Sequence, residues 1–177
     1  MQKQDREKIK KYFKEYIFGF IFNDIQSGIK GKANFLTALG LLCYTEFMGG
    51  LMNGGFAQGG ATSNFNTFFD FLGSKYKNFR SSHNVYKIYR CGMAHEYFIK
   101  GNFTIYMRGG SPGVAIGPDG RYLFFVENYF KDFKKACHKF YRQILKEINP
   151  AILNIIQSNQ LSGSRTSSNA QVLTGGN

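Results

Sequence analysis

The chain is short of acid. Only 11 of its 177 residues are Asp or Glu, against 23 Lys and Arg, so its formal charge is +12 and its pI about 9.7. Between Phe71 and His95 there is no acidic residue at all. So few carboxylates leave no cluster of the kind that holds a divalent cation, and the sequence predicts no metal site and no cofactor. Cysteine is equally sparse: Cys43, Cys91 and Cys137 are an odd number, lie far apart and include no C-x-x-C pair. That excludes a disulfide framework and a zinc knuckle, and it predicts reduced, buried thiols in a cytoplasmic protein. The glycine-rich stretch from Gly49 to Gly60 lacks the G-x-x-x-x-G-K-[ST] order of a phosphate loop and reads as a flexible connection. The most apolar run, Ala33 to Tyr44, is too short to span a bilayer, and Glu46 follows it; the expectation is a buried helix and no membrane. The N-terminus is charged and helical, unlike a secretory signal. No internal repeat and no second domain are visible.

What the chain does have is aromatic mass. Nineteen Phe and 11 Tyr, with no Trp, make up 17% of the residues and favour a packed core over disorder. The pattern is mainly helical. Ile9, Tyr12, Phe13, Tyr16, Ile17, Phe20 and Ile21 keep the three-and-four spacing of an amphipathic helix over residues 4–27. A nearly apolar helix follows over 33–52, then one capped by Thr62 or Ser63, then one begun by Ser82 or Asn84 with Val85, Ile88, Tyr89 and Met93 inward. The period then changes. Residues 103–107, 113–116 and 121–126 read as short strands, with a turn at Pro118-Asp119-Gly120. A long helix with Phe130, Phe133, Cys137 and Phe140 inward and a lysine-rich outer side runs to Pro150, which breaks or kinks it, and a short helical piece is expected to follow to Ile156. The predicted architecture is a bundle of about five helices over residues 1–156, with a small antiparallel β-meander over about 103–126 before the last long helix. Residues 157–177, rich in Ser, Asn, Gly and Gln, are predicted to be a disordered tail.

The surface charge attracts polyanions, RNA among them, and a basic segment offers Lys75, Lys77, Arg80 and Lys87 as phosphate contacts. The chemistry concentrates in Tyr89 to Tyr97. Arg90 is a permanent cation that can hold a phosphate bidentately, His95 titrates near neutrality, and Tyr97 adds a phenol. On an ideal helix Arg90 and His95 are about 140° apart, while Arg90 and Tyr97 lie within about 20° of each other. One straight helix therefore does not place Arg90 and His95 together; either Gly92 lets the helix deform or a second copy completes the site across a symmetric dimer.

The other histidines fall to simpler readings. His83 and His138 have no acid or cysteine at metal spacing and are expected to be structural or at the surface. Gly28-Ile-Lys-Gly31 fits a G-x-x-G loop in letters only, since helices rather than strands flank it.

The spacing Arg90, His95, Tyr97 near the end of a helix in an α-bundle resembles the R-x4-H-x-Y motif of the HEPN superfamily, in particular its toxin members. The resemblance implies a metal-independent endoribonuclease that is usually a homodimer, with its cleft at the dimer interface and Arg90, His95 and Tyr97 as catalytic residues. It further implies, for the toxin pairs, a nucleotidyltransferase-type antitoxin that modifies the motif tyrosine, here Tyr97. Cys91 stands where the family often has Asn, Asp or His, and the β-meander is outside its minimal bundle. The alternative reading is a non-catalytic basic helical domain that binds RNA or a protein partner.

Overall fold

The computed structural model describes residues 3–57, 59–95 and 103–166. The fold is mainly α, as its pattern predicts, with a small sheet on one side. Helix α1 (residues 3–30) begins with Lys3–Tyr12, passes through a π-helical stretch, Phe13–Ile21, and returns to α geometry over Phe22–Lys30. The π stretch corrects the predicted inner face. Bonding i to i+5 turns the chain by roughly 80° per residue instead of 100°. Phe13, Ile17 and Phe22 then face the core, with Phe18 packed beside them, while Tyr16 and Phe20 rotate outward to 37% and 62% exposure.

Helix α2 (Asn34–Asn53) is central. It meets α3 (Ala61–Phe71) so closely that a Cβ on Gly49 would lie 1.6 Å from the Asn64 carbonyl oxygen. Gly49 and Gly50 therefore belong to a helix crossing, not to a flexible connection. The length and apolar character of α2 also meet the requirements of a membrane-spanning helix, but half of the relevant window is buried against the protein itself. Gly60 is the N-cap of α3 and so gives no side-chain cap; the helix begins just ahead of the predicted caps Thr62 and Ser63.

A separate helix α4 (Ser74–Ser82) occupies what the sequence reads as a basic connector. Next comes α5 (residues 86–95), capped by Asn84, whose side-chain oxygen accepts from the Lys87 amide at 3.1 Å.

Three strands follow: β1 (Phe103–Tyr106), β2 (Val114–Ile116) and β3 (Tyr122–Phe125). Their order is β1-β3-β2. The predicted hairpin between β2 and β3 is antiparallel, but β1 pairs with β3 in parallel, so the sheet is mixed and is not a meander. The central place goes to the strand carrying Phe124, which is fully buried. Residues 107–113 carry the chain past β3, a distance of about two strand spacings, or roughly 10 Å. Asn128 fixes that passage by donating to the carbonyls of Gly109 and Gly110, and the Phe125 amide donates to Gly113 at 2.8 Å.

Helix α6 (Val126–Lys146) buries Tyr129, Phe130, Phe133, Cys137, Phe140 and Ile144, as its periodicity predicts. Pro150 does not kink it. The proline begins a new helix, α7 (Pro150–Thr166), where its missing N–H costs nothing, and Asn149 accepts from the Ala151 amide at 2.9 Å. Ile152 and Ile156 of α7 are buried. The helix continues past Ile156, into the segment the sequence assigns to a disordered tail; residues 167–177 lie outside the described residues. Among the described residues, α4 and the full length of α7 raise the count from about five helices to seven.

Tyr76 ties these layers together. Its hydroxyl donates to Asp132 of α6 at 2.9 Å and accepts from the Gly113 amide at 2.8 Å. Burial, with the Asp132 carboxylate adding, pushes its phenol far above the ordinary tyrosine range. Tyr76→Phe keeps the ring and strands a buried N–H, so it is expected to cost about 1–3 kcal/mol in denaturant unfolding. A cost near zero would mean that water replaces the hydroxyl.

His138 on α6 stacks on Phe18 with centroids 4.4 Å apart. Burial first, and then Arg142 and Lys134, lower its pKa from 6.5. A depressed histidine means that the unfolded chain binds the proton more readily. Its contribution is therefore complete above about pH 6.5 and is lost as the pH falls from there through the lower folded-state value. The melting temperature of the wild type is expected to drop more between pH 7.5 and 5.5 than that of His138→Gln; equal drops would contradict it.

Candidate functional site

Tyr89 sets the orientation of α5. It is fully buried, and its hydroxyl donates to the Leu123 carbonyl of β3 at 3.2 Å. With that residue pinned toward the sheet, the next one, Arg90, turns to α2. There its Nε–H donates to Glu46 Oε2 at 3.0 Å. Both side chains are about three-quarters covered, at 22% and 25% exposure. Among the described residues, the two terminal amino groups of Arg90 donate no hydrogen bond. An arginine held by Nε keeps its outer fork for a second partner, the geometry that suits a phosphate.

The helix does deform near this point. Its π-helical stretch, Tyr86–Cys91, ends just before Gly92. In π geometry, residues five apart share a face, which sets Cys91 on the same side of the helix as Tyr86. Burial, Glu46 and Cys91 all raise the Tyr86 phenol pKa, with Arg90 opposing. Cys43, one turn before Glu46 on α2, is raised by burial and by Glu46 and pulled down by Arg90. So the facing surfaces of α2 and α5 bring together Cys43, Glu46, Tyr86, Arg90 and Cys91. From Gly92 to His95 the backbone is α-helical again. His95 is the last residue of the described helix, and Tyr97 lies outside the described residues.

The basic segment separates. Arg80 is clamped by Asp70, with Nε and Nη2 donating to the two carboxylate oxygens at 2.6 and 2.7 Å. That pair joins α3 to α4 and raises the guanidinium pKa. Lys75, Lys77 and Lys87 are exposed. His83 is structural, as expected, lying 3.4 Å from the Tyr122 hydroxyl and against Phe79. Among the described residues, no group of three His, Cys, Asp or Glu is placed to hold a metal ion.

Glu46 is the residue that pattern reading passes over. The signal is present: it is the single charged side chain on the 20-residue helix α2. A lone charge on an apolar helix demands a partner. Beyond Glu46 opens a cavity of about 310 Å³, lined by Cys43, Glu46, Phe47, Phe56, Ala61 and Asn64 among others.

Fold and site together define a mainly α bundle that carries an ion-paired arginine between two helices. Protein-family models, curated proteins and solved structures were all compared with the chain, and none matches it.

Proposed function

We propose that the chain is a metal-independent endoribonuclease of the HEPN type, working in the cytoplasm as a homodimer and serving as the toxin or effector half of a defence or toxin–antitoxin system. The observation that carries the reading is Arg90, positioned through Nε by Glu46 at 3.0 Å, with no described residue accepting from its outer amino groups.

In this mechanism one His95 takes the proton of an RNA 2′-hydroxyl as that oxygen attacks the adjacent phosphorus. Arg90 meets the negative charge that develops on the phosphoryl oxygens. The bond to the 5′-oxygen breaks, and that oxygen leaves protonated, with the other His95 of the dimer as the acid. The products are a 2′,3′-cyclic phosphate and a 5′-hydroxyl. DNA has no 2′-hydroxyl and is not cut by this route. Lys75, Lys77 and Lys87 track the RNA backbone, and a nucleotidyltransferase-type antitoxin modifies Tyr97.

A second reading, a non-catalytic basic domain that binds RNA or a protein, is favoured by the same ion pair, since Glu46 already neutralises the motif arginine. RNA cleavage in the presence of EDTA separates the two. The ribonuclease reading expects activity in the wild type that is lost in both Arg90→Ala and His95→Ala. Equal background in all three proteins leaves the second reading. A strictly monomeric protein in sedimentation would remove the two-chain cleft.

A further inference from the structure

Phe56 lies in the loop between α2 and α3 and is 48% exposed, yet it is firmly seated. Its ring stacks on Phe47 with centroids 5.5 Å apart and planes at 16°. One ring edge rests on Gly50, where a Cβ would come within 2.3 Å of it. The ring is thus supported by Phe47 and Gly50 and still half open to solvent. It forms one wall of the cavity of about 310 Å³ that also includes the Glu46 side chain. That volume is at the small end of ligand pockets, with room for a flat ring but not for an extended peptide. Glu46 adds a carboxylate acceptor to the same wall, and its Oε2 in turn holds Arg90. The cavity therefore carries an aromatic ring and a carboxylate acceptor, and that carboxylate holds a cation. A nucleotide presents the complementary groups: a flat base, its N–H edge and a phosphate.

We propose that this cavity is a nucleobase subsite in which a base of single-stranded RNA stacks on Phe56 and donates to Glu46, while its phosphate meets Arg90. The inference rests on the ribonuclease reading for the direction in which the strand runs, and it adds a residue that sets how the strand is held. Stacking on an aromatic side chain tolerates any base, so Phe56 governs affinity more than sequence.

The absence of tryptophan from the chain supplies the test. Phe56→Trp carries a single indole, whose fluorescence a stacked base quenches. The probe is a 2′-O-methyl RNA 12-mer, which binds but cannot be cut by 2′-hydroxyl attack; inorganic polyphosphate is the charge-only control. The expected result is quenching by the oligonucleotide and none by polyphosphate. Phe56→Ala is expected to weaken binding of the labelled 12-mer by roughly 5- to 150-fold, with Phe56→Tyr close to wild type. Should the 12-mer bind the wild type while Trp at position 56 stays unquenched, or should Phe56→Ala bind as tightly as wild type, the subsite is overturned and the ribonuclease reading stands. Quenching without any RNA cleavage by the wild type removes the ribonuclease reading and keeps the base subsite. No binding of the 12-mer to the wild type removes both.

Discussion

Gly49→Ala is expected to lower stability by about 3 kcal/mol or more, the largest loss from one added methyl group. Overpacking a core usually costs about 1–3 kcal/mol because side chains shift to make room. Here the obstacle is backbone: the new Cβ would meet the Asn64 oxygen at 1.6 Å, its carbonyl carbon at 2.4 Å and its Cα at 3.1 Å. Only separation of α2 from α3 relieves that overlap, and both helices line the core through Leu41, Met48, Phe65, Phe68 and Phe69. For a chain of this size, about 3 kcal/mol corresponds to roughly 6–12 °C in melting temperature. Gly55→Ala is the control, because nothing lies within 4 Å of the position its Cβ would take. A Gly49→Ala protein that unfolds at the same denaturant midpoint as Gly55→Ala would show that the two helices do not cross at Gly49.

Arg90→Ala and His95→Ala are each expected to reduce EDTA-resistant RNA cleavage by about 100-fold or more. The estimate follows from the roles proposed. A positioned acid or base contributes about 10²–10⁴ in rate, and removal of a group that stabilises developing charge costs about 10²–10³. Arg90→Lys tells the roles apart. Lysine keeps the charge but cannot donate one N–H to Glu46 and present a planar fork at the same time. It is therefore expected to remain well below wild type. Glu46→Gln still offers an oxygen to the Arg90 Nε–H and is expected to lose much less than Arg90→Ala. If Arg90→Lys cleaves like the wild type, a general positive charge is sufficient and the positioned fork is not used. Unfolding curves of the same variants serve as the control, since Arg90→Ala leaves the largely covered Glu46 carboxylate without its partner.

The helices were legible because amphipathic period and capping are local. Asn84 starts α5, Pro150 separates α6 from α7, and Phe130, Phe133, Cys137 and Phe140 face inward as their spacing requires. Within α1 that period itself changes. Seven residues of α1 fit a 3.6-residue repeat, and the π-helical stretch then turned Tyr16 and Phe20 outward. Nothing in single-residue propensity announces an i to i+5 bond.

The motif shows the same division. Arg90, His95 and Tyr97 are an arrangement of letters, and the helix they begin on was foreseen. Composition and periodicity by themselves determined a basic, aromatic, mainly α chain with a short β segment before its last long helix. Those properties follow from which side chains recur at which spacing, and they need no knowledge of what lies across the core. Only the tertiary structure decided that β1 runs parallel beside β3, that α2 and α3 touch through Gly49, that Arg80 is tied to Asp70, and that Arg90 meets Glu46 from 44 residues away. The physical reason is common to all four. Each contact joins segments distant in the chain, and its partner is selected by which surfaces remain once the apolar faces have been buried against one another.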